Sequence, residues 1–145
     1  MGAYFPPRQG TIPPANVFVC SSQDGRLFYA PVDEHPQKII DLGTGTGIWA
    51  LEVGDLYPGA EVLGLDLSPI QTPWVPPNVR FLVDDIEDDW LNGTGWDFAH
   101  FRVMANNLRN LEGMIDQVFT YVGKLRGMCM CPFLCSRVIY EIGTN

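Results

Sequence analysis

Three glycines at alternate positions, Gly43, Gly45 and Gly47, follow the short apolar run Lys38-Ile39-Ile40-Asp41-Leu42 and lead straight into Ile48-Trp49-Ala50-Leu51-Glu52-Val53. Glycine admits positive φ and lets a ligand approach the backbone with no Cβ in the way, and the unpaired N–H groups that open a helix favour electron-rich atoms. This is chemistry for holding a nucleotide-like ligand, beside the plainer reading of a turn that only redirects the chain. Asp66 lies 23 positions beyond Gly43 (43 to 66). That is close to the spacing, about 20, at which a carboxylate accepts hydrogen bonds from ribose hydroxyls in nucleotide-binding βαβ units. Its alternative role is a cap before Ser68-Pro69. Further on, Asp84-Asp85-Ile86-Glu87-Asp88-Asp89 offers an acid to an adenine amino group and Ile86 to a ring face. The competing reading of those acids is a solvated charge run, which is expected for Glu87 to Asp89. His100 and Arg102 complete the candidates, both placed to face a substrate.

Positioning these groups requires strands that end at one edge. The run before Gly43 reads as a strand and the pattern after Gly47 as a helix, with Trp49, Val53 and Leu56 on its inner stripe and Tyr57-Pro58-Gly59 as its stop. Glu61 to Leu67 reads as a second buried strand, and Val79 to Val83 as a third. Between them Pro73, Pro76 and Pro77 exclude a long helix and predict a rigid loop. Trp96 to Phe101 is a fourth strand. A helix is expected from Asn106 or Asn107, with Leu108, Leu111, Ile115, Val118, Phe119 and Val122 facing the core and Gly123 ending it. Strands alternating with helices predict an α/β fold, a mostly parallel sheet flanked by helices, with its ligand at the carboxyl edge.

The frame of the glycines narrows the ligand. A dinucleotide fingerprint counted from Gly43 and Gly45 needs glycine or alanine where Ile48 stands, and no Gly-Lys-Ser/Thr follows to form a Walker loop. A net charge of −8 and the absence of any Lys/Arg run exclude phosphate-backbone binding to nucleic acid. The 145 residues allow one domain with a real core, or part of one. Nothing reads as a secretory leader or as about 18 uninterrupted apolar residues, so an intracellular place, cytoplasmic or nuclear, and no membrane contact are expected. Cys129, Cys131 and Cys135 are clustered with Cys20 far away, and only His35 and His100 are present. Free thiols therefore fit better than a four-ligand zinc site, and no metal is expected. Residues 1–20 read as an extended or disordered arm. Arg26 to Pro31 reads as a segment lying against the domain, with Tyr29 as core anchor or lid, and His35 as solvated.

Asp41-Leu42-Gly43-Thr44-Gly45-Thr46-Gly47 resembles the first motif of class I S-adenosylmethionine-dependent methyltransferases. Together with Asp24-Gly25-Arg26-Leu27-Phe28-Tyr29-Ala30-Pro31, Asp66-Leu67-Ser68-Pro69-Ile70-Gln71 and Trp74-Val75-Pro76-Pro77-Asn78-Val79-Arg80-Phe81, it is similar to the fungal LaeA-like methyltransferases, proteins associated with control of secondary metabolism. The resemblance covers residues 21–122. It implies a Rossmann-like class I methyltransferase core there, with S-adenosyl-L-methionine as cofactor. Gly43, Gly45 and Gly47 would hold the methionine portion, Asp66 the ribose, and Asp85 with Ile86 the adenine, while Asp41 supports the turn at the strand end.

Residues 123–145 depart from that pattern. They are too few for three more strands and their helices at about five and eleven residues each, so the fold is expected to be partial and the chain a truncated member, either a gene model or an isoform. On this reading the fourth strand keeps an unpaired edge that favours self-association, with Val138-Ile139-Tyr140 as a short patch. The implied chemistry is direct displacement of the sulfonium methyl by an unidentified small-molecule or protein acceptor, which needs positioning more than acid–base groups. His100 is the one histidine placed to act as a base, and equally a strand histidine satisfied by neighbours. The alternative function is a non-catalytic methyltransferase-like protein that acts through partners or is inactive.

Overall fold

The structure, a computed structural model, describes residues 17–19, 27, 32, 34–102 and 107–130, with the strand residues 17–19 and 123–130 described by their backbone. Among these residues the elements run β1 (Val17–Val19), β2 (Lys38–Leu42), α1 (Ile48–Leu56), β3 (Glu61–Asp66), β4 (Val79–Val83), β5 (Trp96–Phe101), α2 (Leu111–Tyr121) and β6 (Val122–Met130). The strands form one sheet in the order β1-β6-β5-β2-β3-β4, every pair parallel. All their carboxyl ends therefore open on one edge.

The central strands β2, β3 and β5 are nearly continuous apolar runs because both of their faces are covered. Alternation along each strand divides the core in two. Ile40, Leu42, Leu65 and Phe101 pack with Met114 and Ile115 of α2. Ile39, Val62 and Phe98 pack with Trp49, Ala50 and Val53 of α1. Leu56, expected on the inner stripe, is instead 54% exposed, because α1 ends there and its last turn has left the sheet.

The helix ends are set by side chains from distant loops. The Asn78 amide lies 3.0, 3.1 and 3.0 Å from the carbonyl oxygens of Gly54, Tyr57 and Ala60, satisfying acceptors that a helix C-terminus leaves open. The Trp-Val-Pro-Pro-Asn segment thus finishes α1, and the proline-rich connection is a loop with no helix, as its composition predicts. α2 begins at Leu111, four residues or more beyond the expected Asn106 or Asn107. Asn110 is the cap, its Oδ1 accepting from Gly113 N at 3.0 Å, while Glu87 Oε1 accepts from Asn110 N at 2.6 Å. That second contact, made from a different loop, fixes where the helix can start.

The fourth strand does not keep an open edge. β6 pairs with β5 from Trp96↔Val122 to Phe101↔Met130, with an irregularity between Trp96 and Phe98, and β1 pairs with β6. The expectation of self-association through that edge is corrected accordingly. One strand laid directly against β5 needs no further helix and satisfies its N–H and C=O groups. Val17–Val19, expected in an extended arm, likewise belongs to the sheet. Of the two edge strands, β4 exposes Leu82 and Val83. Tyr29 and Val138 to Tyr140 lie outside the described residues.

Candidate functional site

The turn after β2 has the geometry that its glycines permit. Gly43, Gly45 and Gly47 have φ of 71°, 58° and 82°, in the left-handed region that side chains rarely adopt. Their surroundings differ. A Cβ on Gly45 would meet nothing within 4 Å, so this residue faces open space. A Cβ on Gly47 would collide with the ring of Phe81. Gly45 therefore leaves room for a ligand, whereas Gly47 leaves room for the protein's own side chain.

Asp66 closes the turn from β3. Its Oδ2 accepts from Gly45 N at 2.7 Å and its Oδ1 from Ser68 N at 2.9 Å. Gln71 returns from the following loop and donates to Gly45 O at 2.6 Å and Ser68 O at 2.8 Å, and Thr44 N donates to Leu65 O at 2.8 Å. Gly45 is thus held at its N–H by the β3 end and at its carbonyl by the loop that follows. A carboxylate has about four lone-pair positions, so Asp66 retains capacity for hydroxyl donors while holding these amides.

Asp41 lies beneath the turn, 2% exposed. Its Oδ2 accepts from Thr44 Oγ1 at 2.6 Å, and its Oδ1 lies 2.7 Å from His100 Nδ1. His100 is 3% exposed, with its ring stacked on Trp49 at 3.8 Å between centroids. Arg102, two residues on, is exposed at the strand's end.

The acidic loop after β4 begins beside Asp66, through Asp84 N to Asp66 O at 3.1 Å. Asp85 is turned toward the start of α2. Its Oδ1 accepts from Glu87 N at 2.9 Å and its Oδ2 from the Arg109 guanidinium, also at 2.9 Å. Ile86 packs against the core beneath α2. Glu87, expected to be solvated, is only 10% exposed and pairs with Arg109. Hydrogen bonds from the Asn110 and Arg109 backbones, then the guanidinium, hold its carboxyl below the ordinary value. Arg109 is raised in return, chiefly by Glu87.

Asp41, the glycines and Asp66 thus form one bonded unit, and Asp85 and Ile86 stand at the same edge on a separate loop. Sequence reasoning missed Thr44, Gln71, Gly64, Phe81 and Arg109. Thr44 and Gln71 lie within or beside the recognised motifs, but their bonds depend on how strands align. Among the described residues no three potential metal ligands come together. A shallow depression of about 360 Å³ lined by Glu61, Asn78 and Arg80 opens at the amino ends of β3 and β4, away from the turn.

A parallel α/β sheet with a glycine turn after β2 and an acid closing it from β3 defines a nucleotide-binding type of site. Residues 17–137 match the family model described as a methyltransferase domain, and the chain belongs to that family. It is 49% identical over 98 residues to methyltransferase pytC of Aspergillus terreus, covering 67% of this chain and 30% of that protein. It is 39% identical over 110 residues to the secondary metabolism regulator LAE1 of Cochliobolus heterostrophus, covering 72% and 36%. The chain thus spans about a third of the length of these curated relatives. The plantazolicin methyltransferase BpumL, solved with SAH, superimposes with a TM-score of 0.54 at 20% identity, over 60% of this chain and 35% of that one, a likeness of fold. No helix of the described residues is long and apolar enough to cross a membrane.

Proposed function

We propose that this chain is the cofactor-binding portion of an S-adenosyl-L-methionine-dependent methyltransferase connected with fungal secondary metabolism. The observation that carries the reading is the Asp66 carboxylate, 2.7 Å from Gly45 N at the lip of a turn whose middle glycine faces open space. Asp66 would receive the ribose hydroxyls, and the turn at Gly43, Gly45 and Gly47 would receive the methionine portion. Asp85, still able to accept while it holds Arg109, would take the adenine amino group beside Ile86. The relatives' names, a methyltransferase and a regulator of secondary metabolism, support the same reading. A cytoplasmic or nuclear setting goes with it.

When bound, S-adenosylmethionine would supply a sulfonium methyl group for direct displacement by the acceptor, leaving S-adenosylhomocysteine and a proton; the residues at Gly43 to Gly47 and Asp66 would hold and orient it. The fold's contribution is alignment and exclusion of water. The acceptor would be a small molecule or a protein.

Calorimetric titration with S-adenosylmethionine tests the reading. Binding is expected, weakened roughly 10- to 100-fold in Asp66→Ala, since hydrogen bonds to a carboxylate contribute about 1.5–3 kcal/mol. A folded chain that binds nothing would sink the cofactor role and leave a non-catalytic protein acting through partners. Transfer of a labelled methyl group is the stricter assay.

A further inference from the structure

A single row of residues crosses the sheet beneath the glycine turn. In register, His100 of β5 stands opposite Asp41 of β2, Asp41 opposite Gly64 of β3, and Gly64 opposite Phe81 of β4. At one end Phe81 fills the space that side chains at Gly47 and Gly64 would need. In the middle Asp41 carries Thr44, the residue between the first two glycines, at 2.6 Å. At the other end His100 meets Asp41 at 2.7 Å, its ring lying within 5° of parallel to Trp49. Trp49 is itself fixed by an indole N–H donated to Leu27 O at 2.5 Å.

The geometry points to His100 as a positioning residue of the cofactor site, acting through Asp41 and Thr44 on the Gly43 to Gly47 turn, and not as a base toward the methyl acceptor. An ionised Asp41 makes Nδ1 the donor, so each carboxylate oxygen receives one hydrogen bond, from His100 on one side and Thr44 on the other. Two donors in a buried setting leave the carboxylate one orientation. The Thr44 hydroxyl follows it, and the Thr44 N–H to Leu65 O adds a second anchor, so the peptide plane at Gly45 is set. Trp49 stops the imidazole from rotating away. A general base must reach a proton on the acceptor, yet the His100 ring is 3% exposed and covered by Trp49. Without the His100 donor, Oδ1 of Asp41 is stranded in an apolar layer. The carboxyl then turns toward another donor, and Thr44 loses its acceptor in the present geometry.

The inference rests on the turn being the S-adenosylmethionine site, and the test separates the two. His100→Phe keeps ring and stack but removes the donor, while His100→Asn keeps an N–H near the Nδ1 position. Each variant of the 145-residue chain is compared with wild type by thermal unfolding, by the amide NMR positions of Thr44, Gly45 and Gly47 without ligand, and by titration with S-adenosylhomocysteine. His100→Phe is expected to shift those amides and to bind roughly tenfold more weakly or worse, about the effect of one charge-assisted hydrogen bond. His100→Asn is expected to restore most of both. Turn amides and affinity unchanged in a folded His100→Phe would overturn the role of His100 alone. No binding by the wild type would overturn the cofactor reading and this role with it. If His100→Phe does not fold, Thr44→Val interrupts the next link outside the core. Wild-type binding by that variant would likewise overturn the relay.

Discussion

Gly64 sits mid-strand, a place where glycine weakens a sheet unless something needs the room. Here a Cβ would come within 2.7 Å of Phe81 and 2.8 Å of Thr44 Oγ1, so β3 is flattened at that point to seat a ring and a hydroxyl belonging to the turn. Gly64→Ala is therefore expected to cost about 1–3 kcal/mol by overpacking. Trimming the ring in a Phe81→Leu background should recover part of that loss, and a double-mutant cycle by thermal unfolding reads the coupling. Gly45→Ala meets no neighbour and is expected to cost only the left-handed backbone penalty, about 1 kcal/mol. A larger loss there would place an unseen contact at the turn. The sequence already marked Gly43, Gly45, Gly47 and Asp66 as a unit, because their types and spacing suffice. Gly64 and Phe81 stayed hidden, since their meaning comes from strand register, and nothing local in Val62-Leu63-Gly64-Leu65 encodes what lies across from it.

Both helices are tied at their ends by residues from loops. Asn78 holds the Gly54 carbonyl in the last turn of α1 and those of Tyr57 and Ala60 just beyond it, and Asn78→Ala is expected to cost about 1–3 kcal/mol by removing that donor, measurable by chemical unfolding. The start of α2 is held by Glu87 and Asn110, and the Trp90 ring stacks on Tyr121 at its end with centroids 5.3 Å apart. The acidic loop thus grips α2 at both ends. Because the Glu87 carboxyl is held below its ordinary value of 4.5, its contribution is fully present above that pH and is lost as pH falls through the lower folded value. Wild type is expected to exceed Glu87→Gln in stability near neutrality, and the two should converge in acid. A constant gap across the titration would show that the charge is not the cause. The types and order of the elements from β2 to α2 followed from periodicity, prolines and glycines. The start of α2 and the role of the acids did not, because Asn106, Asn107 and Asn110 are equally good caps in sequence and only the contact from Glu87 chooses among them.

The whole sheet is parallel, and its middle, β2 and β5, is shielded by strands on both sides and helices on both faces. Amide hydrogen exchange is expected to be slowest there and markedly faster in β4, which has one paired side. Equal protection in β4 would mean that a partner covers it. The place of β6 was not legible, since a mixed run such as Val122-Gly123-Lys124-Leu125-Arg126 carries neither a helical nor a strand period, and its pairing with β5 supplies the order. Parallel strands are joined by long crossovers, usually helical, yet β3 and β4 are joined by residues 67–78, pinned at Gln71 near the glycine turn and at Asn78 under α1. Between the pins, Trp74 stands 85% exposed and its N–H donates within the loop, to Thr72 Oγ1 at 3.2 Å. Chain length is cheap in such a stretch, because loop closure costs only about 0.6 kcal/mol per doubling. Relatives and engineered variants can therefore lengthen, shorten or graft this span, changing what borders the carboxyl edge, while the glycine turn and its carboxylate stay as they are.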